Sequence, residues 1–362
     1  MKLIAFRYSE PGWHLNFSQF SDQILLVGQN ASGKSKTIAA LSMVASLIAQ
    51  KRNFTASTVF ESLLLFDNGG EAISYHFFCK NGTIKKEVLL YSPQYSADKE
   101  IEIIKRDENQ CLLNGEQINP PHDRLVVNVR RDTQLYPEME LLQKWADNVI
   151  GFSFNETDMY GDGKTGSWFN GYNHPLTSII ADMDDMPDVK TEYLEQLKQI
   201  GYNISEIKAL NFGSEKKVYV KEVGVKIPIF DMTMSKGMFR TLYVVAYLLY
   251  FKHIKLGQPA MLLIDDLCEG LDYDRSTRLG KFCYSMCEEL GIQLMASSND
   301  SFLMDVVDLK YWNILHRNSG NVEVINQNSH PELFDRFEMT GLSNFDLFSS
   351  DFIERHTGKS VK

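Results

Sequence analysis

The stretch Ile24-Leu-Leu-Val-Gly28-Gln-Asn-Ala-Ser-Gly33-Lys34-Ser35 joins an apolar run, a loop bounded by glycines and the start of a helical pattern. Glycines let the loop curl so that successive backbone N–H groups point inward at a polyphosphate. The positive N-terminal end of the following helix adds to this attraction. A Gly/Lys turn that arose by chance would lack the flanking strand and helix. The sequence therefore predicts a phosphate loop that binds a nucleoside triphosphate.

Each residue type in this loop has a separate predicted task. Lys34 reaches the β- and γ-phosphates, and the hydroxyl of Ser35 is a ligand of Mg²⁺. The loop backbone and the first helical turn surround the phosphates. The expected nucleotide-binding residues are Gly28, Asn30, Ala31, Ser32, Gly33, Lys34, Ser35 and Lys36.

Composition places the chain among ordinary globular proteins. Of its 362 residues, 44% are hydrophobic and 23% are charged, which is enough to bury a full core. The net charge of −10 disfavours DNA binding by the whole surface, while basic pairs such as Lys216-Lys217 leave a local basic patch open. No leader-like segment follows Met1, and the longest apolar run, 242–251, is about half of a membrane span. We expect a cytoplasmic protein without a membrane partner.

Turn signals and hydrophobic patterns divide the chain into strand-rich and helix-rich parts. Between residues 59 and 130, short strands alternate with turns, which predicts an antiparallel sheet. Residues 137–207 look mainly helical, and strands then alternate with helices as in a parallel α/β core. Strands are predicted at 2–7, 23–28, 62–66, 73–78, 87–91, 100–104, 125–129, 217–220, 225–229, 260–265, 292–297, 310–316 and 321–326, and helices at 34–50, 237–255 and 273–290.

Two adjacent carboxylates end an apolar strand in Met261-Leu-Leu-Ile-Asp265-Asp266. A phosphate loop needs an acid that holds Mg²⁺ and a group that orients or activates the attacking water. Asp265 is the predicted acid on the Mg²⁺ side, and Asp266 is the predicted general base. The alternative is a helix N-cap after a core strand, where aspartate is common.

Three further segments surround this acid strand in order. Met234-Ser235-Lys236-Gly237-Met238-Phe-Arg240 begins a strongly apolar helix, Glu269-Gly270-Leu271-Asp272 follows the acids, and Ser297-Ser298-Asn299-Asp300 follows the next strand. Together with the phosphate loop, this order resembles the ATP-binding-cassette (ABC) class of P-loop ATPases. Taken alone, the first segment is equally an ordinary helix start.

The resemblance implies ATP and Mg²⁺ as cofactors and a head-to-tail homodimer, or a higher even oligomer, with ATP in the interface. In that class the Ser-x-Gly signature of one subunit caps the γ-phosphate held by the other, and a switch residue, here Asn299, touches the γ-phosphate. The residues that would act in trans are Ser235, Gly237, Arg240 and Asp272.

The antiparallel strands and the helical insertion resemble the branch that includes RecF and the structural-maintenance-of-chromosomes (SMC) heads. In that branch a glutamine lies where the strands give way to the helical lobe. Gln134 is the candidate for contacting Mg²⁺ and the attacking water, Gln94 is the alternative, and a plain loop glutamine is a third reading.

The resemblance implies an α/β ABC-ATPase fold, with a mixed parallel core sheet, an antiparallel β subdomain and an inserted helical lobe. We expect a single domain over 1–362. Its parts are 1–134 (phosphate loop and antiparallel strands), 135–215 (helical lobe), 216–330 (signature, acid strand and switch) and 331–362 (C-terminal tail).

Three departures from the ABC pattern affect the expected activity. Lys236 and Met238 replace a glycine/glutamine pair in the signature, which argues against a transporter subunit. Asp266 stands where the class generally has glutamate, which withdraws the carboxylate by about 1 Å, and a displacement of that order costs about 10²-fold in rate. Asn299 stands where histidine is usual. We therefore expect slow hydrolysis and a long-lived ATP-bound dimer.

The insertion between Gln134 and Ser235 has about 100 residues without heptads, so no long coiled-coil arm is expected. Compact chains with Asp265-Asp266-x-x-Glu269-Gly-Leu-Asp272 and a Gly-Leu-x-Asn-Phe-Asp tail resemble small ATP-binding proteins of bacterial anti-phage and abortive-infection systems. This implies control of a separately encoded effector such as a nuclease or toxin. The alternative is a RecF-like DNA-repair ATPase that clamps DNA, although the acidic balance offers no obvious basic stripe.

Overall fold

The computed structural model describes residues 1–93, 99–152, 176–212, 215–254 and 260–359, which form a sheet of 14 strands and a second sheet of three. The strands are β1 (Lys2–Glu10), β2 (Trp13–Gln19), β3 (Gln23–Val27), β4 (Val59–Asp67), β5 (Ala72–Lys80), β6 (Thr83–Ser92), β7 (Ile101–Arg106), β8 (Cys111–Leu113), β9 (Glu116–Gln117), β10 (Val149–Phe152), β11 (Ile204–Phe212), β12 (Glu215–Glu222), β13 (Ile229–Phe230), β14 (Met261–Ile264), β15 (Gln293–Ser297), β16 (Trp312–Asn318) and β17 (Asn321–Ile325). The α-helices are α1 (Lys34–Ile48), α2 (Val126–Val129), α3 (Pro137–Asp147), α4 (Leu176–Asp184), α5 (Pro187–Ile200), α6 (Lys236–Ile254), α7 (Tyr273–Leu290), α8 (Ser301–Val306), α9 (Pro331–Glu338), α10 (Asn344–Ser349) and α11 (Phe352–Thr357).

Five parallel strands in the order β10-β14-β15-β3-β16 form the core of the large sheet. Every residue of β10, β14, β15 and β3 is buried, because helices cover both faces of these strands, as in α/β proteins generally. Ile264 pairs with Ala296, and Ser297 pairs with Leu26, so neighbouring strands end almost in line. The loops that follow β3, β14 and β15 therefore meet at one edge.

The same sheet continues from β16 to the antiparallel β17, which pairs in parallel with β2, and then through the antiparallel run β2-β1-β4-β5-β6-β7-β8-β9. Alternate residues of β3 point to opposite faces, as the strand period requires. Leu25 and Val27 join the core cluster around α4 to α8, while Ile24 and Leu26 join the cluster around α1 and α3. This mixed sheet with helices on both faces confirms the predicted α/β fold class.

A smaller lobe packs on α6, the helix of the predicted signature segment. It consists of α4, α5 and the antiparallel sheet β11-β12-β13. The hydroxyl of Tyr193 on α5 donates to the carbonyl of Leu242 on α6 at 2.9 Å. Although α6 has 19 residues and is strongly apolar, no helix within the described ranges is long and apolar enough to cross a membrane.

The prediction of a strand at 125–129 is wrong, because Val126–Val129 forms a short helix. The buried carboxylate of Glu87 accepts the N–H groups of Val126, at 2.8 and 2.9 Å, and of Val127, at 3.4 Å. Acceptors at this position satisfy the free N–H groups of a helix start. A pattern of β-branched residues carries no information about this long-range carboxylate.

Five strands of the described residues, β2, β8, β9, β10 and β11, were not predicted, and two of them shape the main sheet. Trp13–Gln19 forms β2 between β17 and β1, and Val149–Phe152 forms β10 at the edge of the parallel core. A run of four residues after a helix is too short to distinguish a strand from a helix end by period. As a consequence, the described part of 137–207 is less helical than expected. β10 joins the main sheet, and α3 packs beside α1 on that sheet.

We expect Glu87→Ala to lower the free energy of unfolding by about 3 kcal/mol, because it leaves the buried Arg106 guanidinium and two helix N–H groups without their carboxylate. The measurement is urea denaturation followed by circular dichroism. Glu61→Ala is the control, since Glu61 is partly exposed, pairs with Arg7 and His76, and should cost about 1 kcal/mol or less. Equal losses in both variants would contradict this account.

Candidate nucleotide-binding site

The loop between β3 and α1 has the backbone of a phosphate-binding turn. Gly33 caps α1 with a φ of 110°, a conformation that favours glycine. A Cβ on Gly28 would lie 2.5 Å from the hydroxyl oxygen of Ser32 and 3.1 Å from the carbonyl oxygen of Leu315. Both glycines are therefore required by the path of this loop, and Ser32 is buried inside it.

Lys34 is the first residue of α1, and only 5% of it is exposed. Its ammonium donates to the carbonyls of Gly28, at 2.6 Å, and Gln29, at 2.9 Å. Burial lowers the pKa of Lys34, while the carboxylates of Asp266 and Asp265 oppose that shift. The ammonium thus lies inside the loop, within electrostatic reach of the predicted acids.

The first turn of α1 presents three backbone N–H groups without an intrahelical acceptor. The first intrahelical hydrogen bond runs from the N–H of Thr37 to the carbonyl of Gly33 at 2.8 Å, so the N–H groups of residues 34–36 precede it. Ser35 is exposed at this end. The Lys36 ammonium pairs with Glu10 at 2.5 Å and lies 4.9 Å from the ring centre of Trp13. Since the ammonium is engaged there, the backbone N–H of Lys36 is the group that it offers to an anion.

The two acids follow β14 at the same edge. The hydroxyl of Ser297 on β15 donates to Asp265 and accepts the N–H of Asp266 at 2.9 Å. Burial raises the pKa of Asp266, the negative charges of Asp265 and Glu269 raise it further, and the positive charges of Arg240 and Lys34 oppose them. The alternative of a helix cap does not apply, because the next helix, α7, is capped by Asp272.

The predicted switch segment contacts the phosphate loop directly. The side-chain amide of Asn299 donates to the side-chain oxygen of Asn30 at 3.1 Å, and the N–H of Ser298 donates to the carbonyl of Leu26 at 3.3 Å. A cleft of about 340 Å³ opens beside this contact. Its lining residues are Asp266, Glu269, Gly270, Ser298, Asn299, Asp300, Ser301 and Phe302.

The predicted signature lies against the turn that follows the acids. Ser235 is exposed, and its hydroxyl accepts the N–H of Met238 at 3.2 Å at the start of α6. Gly237 is buried, and a Cβ there would lie 2.6 Å from the carbonyl oxygen of Gly270. Asp272 is exposed but accepts the N–H of Arg275 at 3.0 Å, so its carboxylate already caps α7 of its own chain.

The position of Arg240 in this chain gives no support to the predicted contact with a partner's nucleotide, which stays a prediction. Only 2% of Arg240 is exposed, and its guanidinium donates to the carbonyl and the carboxylate of Glu269 in the same chain. A group with so little exposed surface is closed to a ligand on another subunit. Arg240 belongs to the interior behind Asp266.

Gln134 precedes α3, whose orientation places it near the same edge. Because α1 follows β3 and α3 precedes the parallel strand β10, both helices begin at the carboxyl edge of the sheet. Gln134 is exposed, and its N–H donates to the Asp132 carboxylate at 2.9 Å. No hydrogen bond within the described residues joins its side chain to the phosphate loop, and its role stays a prediction. The alternative, Gln94, lies outside the described residues.

No protein-family model matches the sequence, and no curated protein matches it. Solved structures of SMC heads do match. The SMC head bound to the C-winged helix domain of ScpA has a TM-score of 0.53 at 12% identity, over 90% of this chain and 98% of that chain. The SMC head domain from Thermotoga maritima (TM-score 0.47, 12% identity, 90% and 99% coverage) and the Smc head domain with an extended coiled coil derived from Pyrococcus furiosus (0.42, 12%, 93% and 99%) also match.

This chain has the fold of an SMC head domain. The match to the ScpA-bound head covers nearly the whole of both chains, and the mixed sheet with its helices agrees with an ABC-ATPase fold. The order of four motifs in the sequence was therefore a sound guide to the architecture. At 12% identity the likeness concerns the fold alone.

Within this SMC-head fold, one edge of the sheet brings together Lys34, Ser35, Asp265, Asp266 and Asn299. Their donor set fits Mg²⁺, which binds through one or two protein oxygens and completes its shell with phosphates and water. Ser35 and Asp265 would supply those oxygens. Within the described ranges, no group of three or more histidine, cysteine or acidic residues could hold a metal by itself.

Sequence reasoning assigned no role to two residues of this site, although both lie in its motif segments. Ser297 joins both acids through its hydroxyl, and Glu269 fixes Arg240 behind Asp266. A serine at the last position of the apolar strand beside the acid strand was the available signal. For Glu269 the motif gave no indication of its partner, because Arg240 lies 29 residues away in sequence.

Proposed function

We propose that this chain is an ABC-type ATPase that binds ATP with Mg²⁺ and hydrolyses it slowly. The observation that carries the proposal is the placement of Lys34 inside a glycine-bounded loop with Asp265, Asp266 and Asn299 at its side. A buried ammonium, free helix N–H groups and two carboxylates are the groups that phosphoryl transfer from a nucleotide requires.

In this proposal each group performs one task. The N–H groups of residues 28–36 and the Lys34 ammonium hold the β- and γ-phosphates and offset their developing charge. Ser35 and Asp265 hold Mg²⁺, which neutralises phosphate charge when it is bound. Asp266 takes a proton from the attacking water, and the Asn299 amide orients the γ-phosphate. The short Asp266 side chain and the neutral Asn299 make turnover slow.

We further propose a head-to-tail homodimer in which Ser235 caps the triphosphate held by the partner. Ser235 is exposed at the start of a 19-residue helix, which suits it to an anion supplied by another subunit. An exposed aromatic pair, Tyr273 and Phe302, lies beside the cleft with ring centres 5.1 Å apart. Large aromatics exposed next to a site are typical of an interface that a partner covers.

We expect Tyr273→Ala to weaken ATP-dependent dimerisation by about 10-fold, because truncating an interface aromatic commonly costs more than 1 kcal/mol. The measurement is molar mass by light scattering with MgATP, in an Asp266→Asn background that prevents hydrolysis. Tyr91→Ala, which changes an aromatic on the antiparallel β6, is the matched control and should leave the dimer intact. A wild-type chain that stays monomeric at saturating MgATP would refute the dimer.

The cellular role that we propose is control of a separately encoded effector, such as a nuclease or toxin, in bacterial anti-phage defence. The motif order and tail that resemble anti-phage ATPases support it, as does the net charge of −10, which disfavours a DNA clamp. The test is co-purification with the products of neighbouring genes, with and without MgATP. Duplex-DNA binding that needs ATP and weakens steeply with salt would favour a repair clamp instead.

A further inference from the structure

We propose that Arg240 is a positioning residue for Asp266 of its own subunit, and that it links this general base to the signature at the start of α6. The inference rests on the proposed function, because that proposal gives Asp266 and Ser235 their roles. It assigns to Arg240 a task within one chain, where the ABC resemblance suggested a task between chains.

The first observation is the way in which the Arg240 guanidinium is held. It donates to the main-chain carbonyl of Glu269 and, at 3.1 Å, to the side-chain carboxylate of the same residue. Arg240 is 2% exposed, whereas the Glu269 side chain is 65% exposed. Because the planar guanidinium donates to two acceptors of one residue, it fixes the orientation of Glu269 as well as its distance. A lysine ammonium would fix the distance alone.

The second observation is the short path from Glu269 to Asp266. The N–H of Glu269 donates to the carbonyl of Asp266 at 3.1 Å, which closes a tight turn. Asp266 has a φ of 51°, a left-handed conformation that is uncommon in non-glycine residues and that aspartate adopts more readily than most. Ser297 holds the N–H of Asp266 on one side, and Arg240 holds the end of the turn on the other.

The third observation places the signature on the same unit. A Cβ on Gly237 would lie 2.6 Å from both the Gly270 carbonyl and the Leu271 side chain, so the first turn of α6 packs directly on the turn after Asp266. Arg240 is one helical turn beyond Gly237. The start of α6 and the turn that bears Asp266 therefore pack as one unit, with Gly237 and Arg240 as its contacts.

Single variants give the first test. We expect Arg240→Lys to lower kcat by about 10- to 100-fold, since a displacement of about 1 Å has an effect of that size, while KM for ATP changes less than about threefold. Glu269→Gln keeps the main-chain carbonyl and one side-chain oxygen as acceptors for Arg240. It should retain kcat within about threefold of the unchanged chain. Glu269→Lys places a like charge against the guanidinium at an exposed position, so it should fold normally and lose kcat. Unchanged kcat in Arg240→Lys and Glu269→Lys would overturn the inference.

Mixed dimers separate action within a chain from action between chains. Subunits carrying Arg240→Lys are mixed with subunits carrying Asp266→Asn. If Arg240 serves Asp266 of its own chain, each mixed dimer lacks a competent site and activity stays low. If Arg240 serves the partner's site, one site is complete and about one quarter of the unchanged activity returns, because half of the dimers are mixed and each has one working site of two. That recovery would overturn the inference.

The control is a mixture of Ser235→Arg with Asp266→Asn subunits. Under the proposed function Ser235 acts across the interface, so this mixture should recover about one quarter of the unchanged activity. Recovery here without recovery in the Arg240→Lys mixture supports the inference. Failure of the control mixture would refute the proposed trans-acting dimer, whatever the Arg240 mixture does, so the two claims fail separately.

Discussion

Replacing Lys34 by alanine is expected to weaken ATP binding about 1,000-fold or more, because removal of one partner from a buried charge pair costs several kcal/mol. Lys34 is the ammonium enclosed by the loop, with only 5% of the residue exposed. Its loss leaves the phosphates facing Asp265 and Asp266 without the ammonium that the loop encloses. The measurement is titration calorimetry with MgATP on the full chain.

Lys51→Ala is the matched control for this prediction. Lys51 lies just beyond the other end of α1, is partly buried and contacts Asp147, so its loss tests the general effect of removing a lysine near this helix. We expect its ATP affinity to stay within about threefold of the unchanged chain. Thermal melting of both variants without nucleotide checks the fold. Equal loss of affinity in the two variants would contradict the assignment of Lys34 as the residue that binds the phosphates.

Asp266→Asn is expected to reduce ATP hydrolysis by about 1,000-fold, within the range measured for removal of a general base, while ATP binding is retained. Asparagine keeps the size of the side chain but accepts no proton at neutral pH. It also removes a negative charge that faces the phosphates, so affinity for ATP should not fall. The measurements are phosphate release under single-turnover conditions and nucleotide affinity on the same sample.

Asp308→Asn controls for loss of a carboxylate elsewhere. Asp308 is exposed, pairs with Lys310 and accepts its N–H, and it does not line the cleft beside Asp266. Its hydrolysis rate should be unchanged. If Asp266→Asn hydrolyses ATP at the unchanged rate, Asp266 has no role in proton transfer. If it loses binding as well, its main role is structural.

The sequence predicted the central part of the molecule well, because local chemistry dominates there. The apolar runs that became β3, β14 and β15 are buried on both faces, and such runs allow few alternatives. The glycines of the phosphate loop are demanded by backbone conformation and by close packing, as Gly28 and Gly33 show. Elements and motifs of this kind can be predicted from short windows.

Long-range contacts caused the errors. The helix Val126–Val129 forms because Glu87, 39 residues earlier, supplies a carboxylate to its N–H groups. The four-residue strand β10 forms because β14, more than 100 residues later, offers an open edge. Arg240 turned inward because Glu269, 29 residues away, lies beside it after folding. Local propensity cannot register partners that only the fold brings near.

The sequence by itself determined the phosphate loop, the acid strand, the order of the motifs and through them the class of fold, since these depend on residue type and spacing within a few residues. The tertiary structure alone decided that Ser297 joins both acids, that Asn299 meets Asn30, and that Arg240 stands behind Asp266. Those contacts link the ends of different strands and helices. Their geometry exists only after the parallel strands have aligned at one edge.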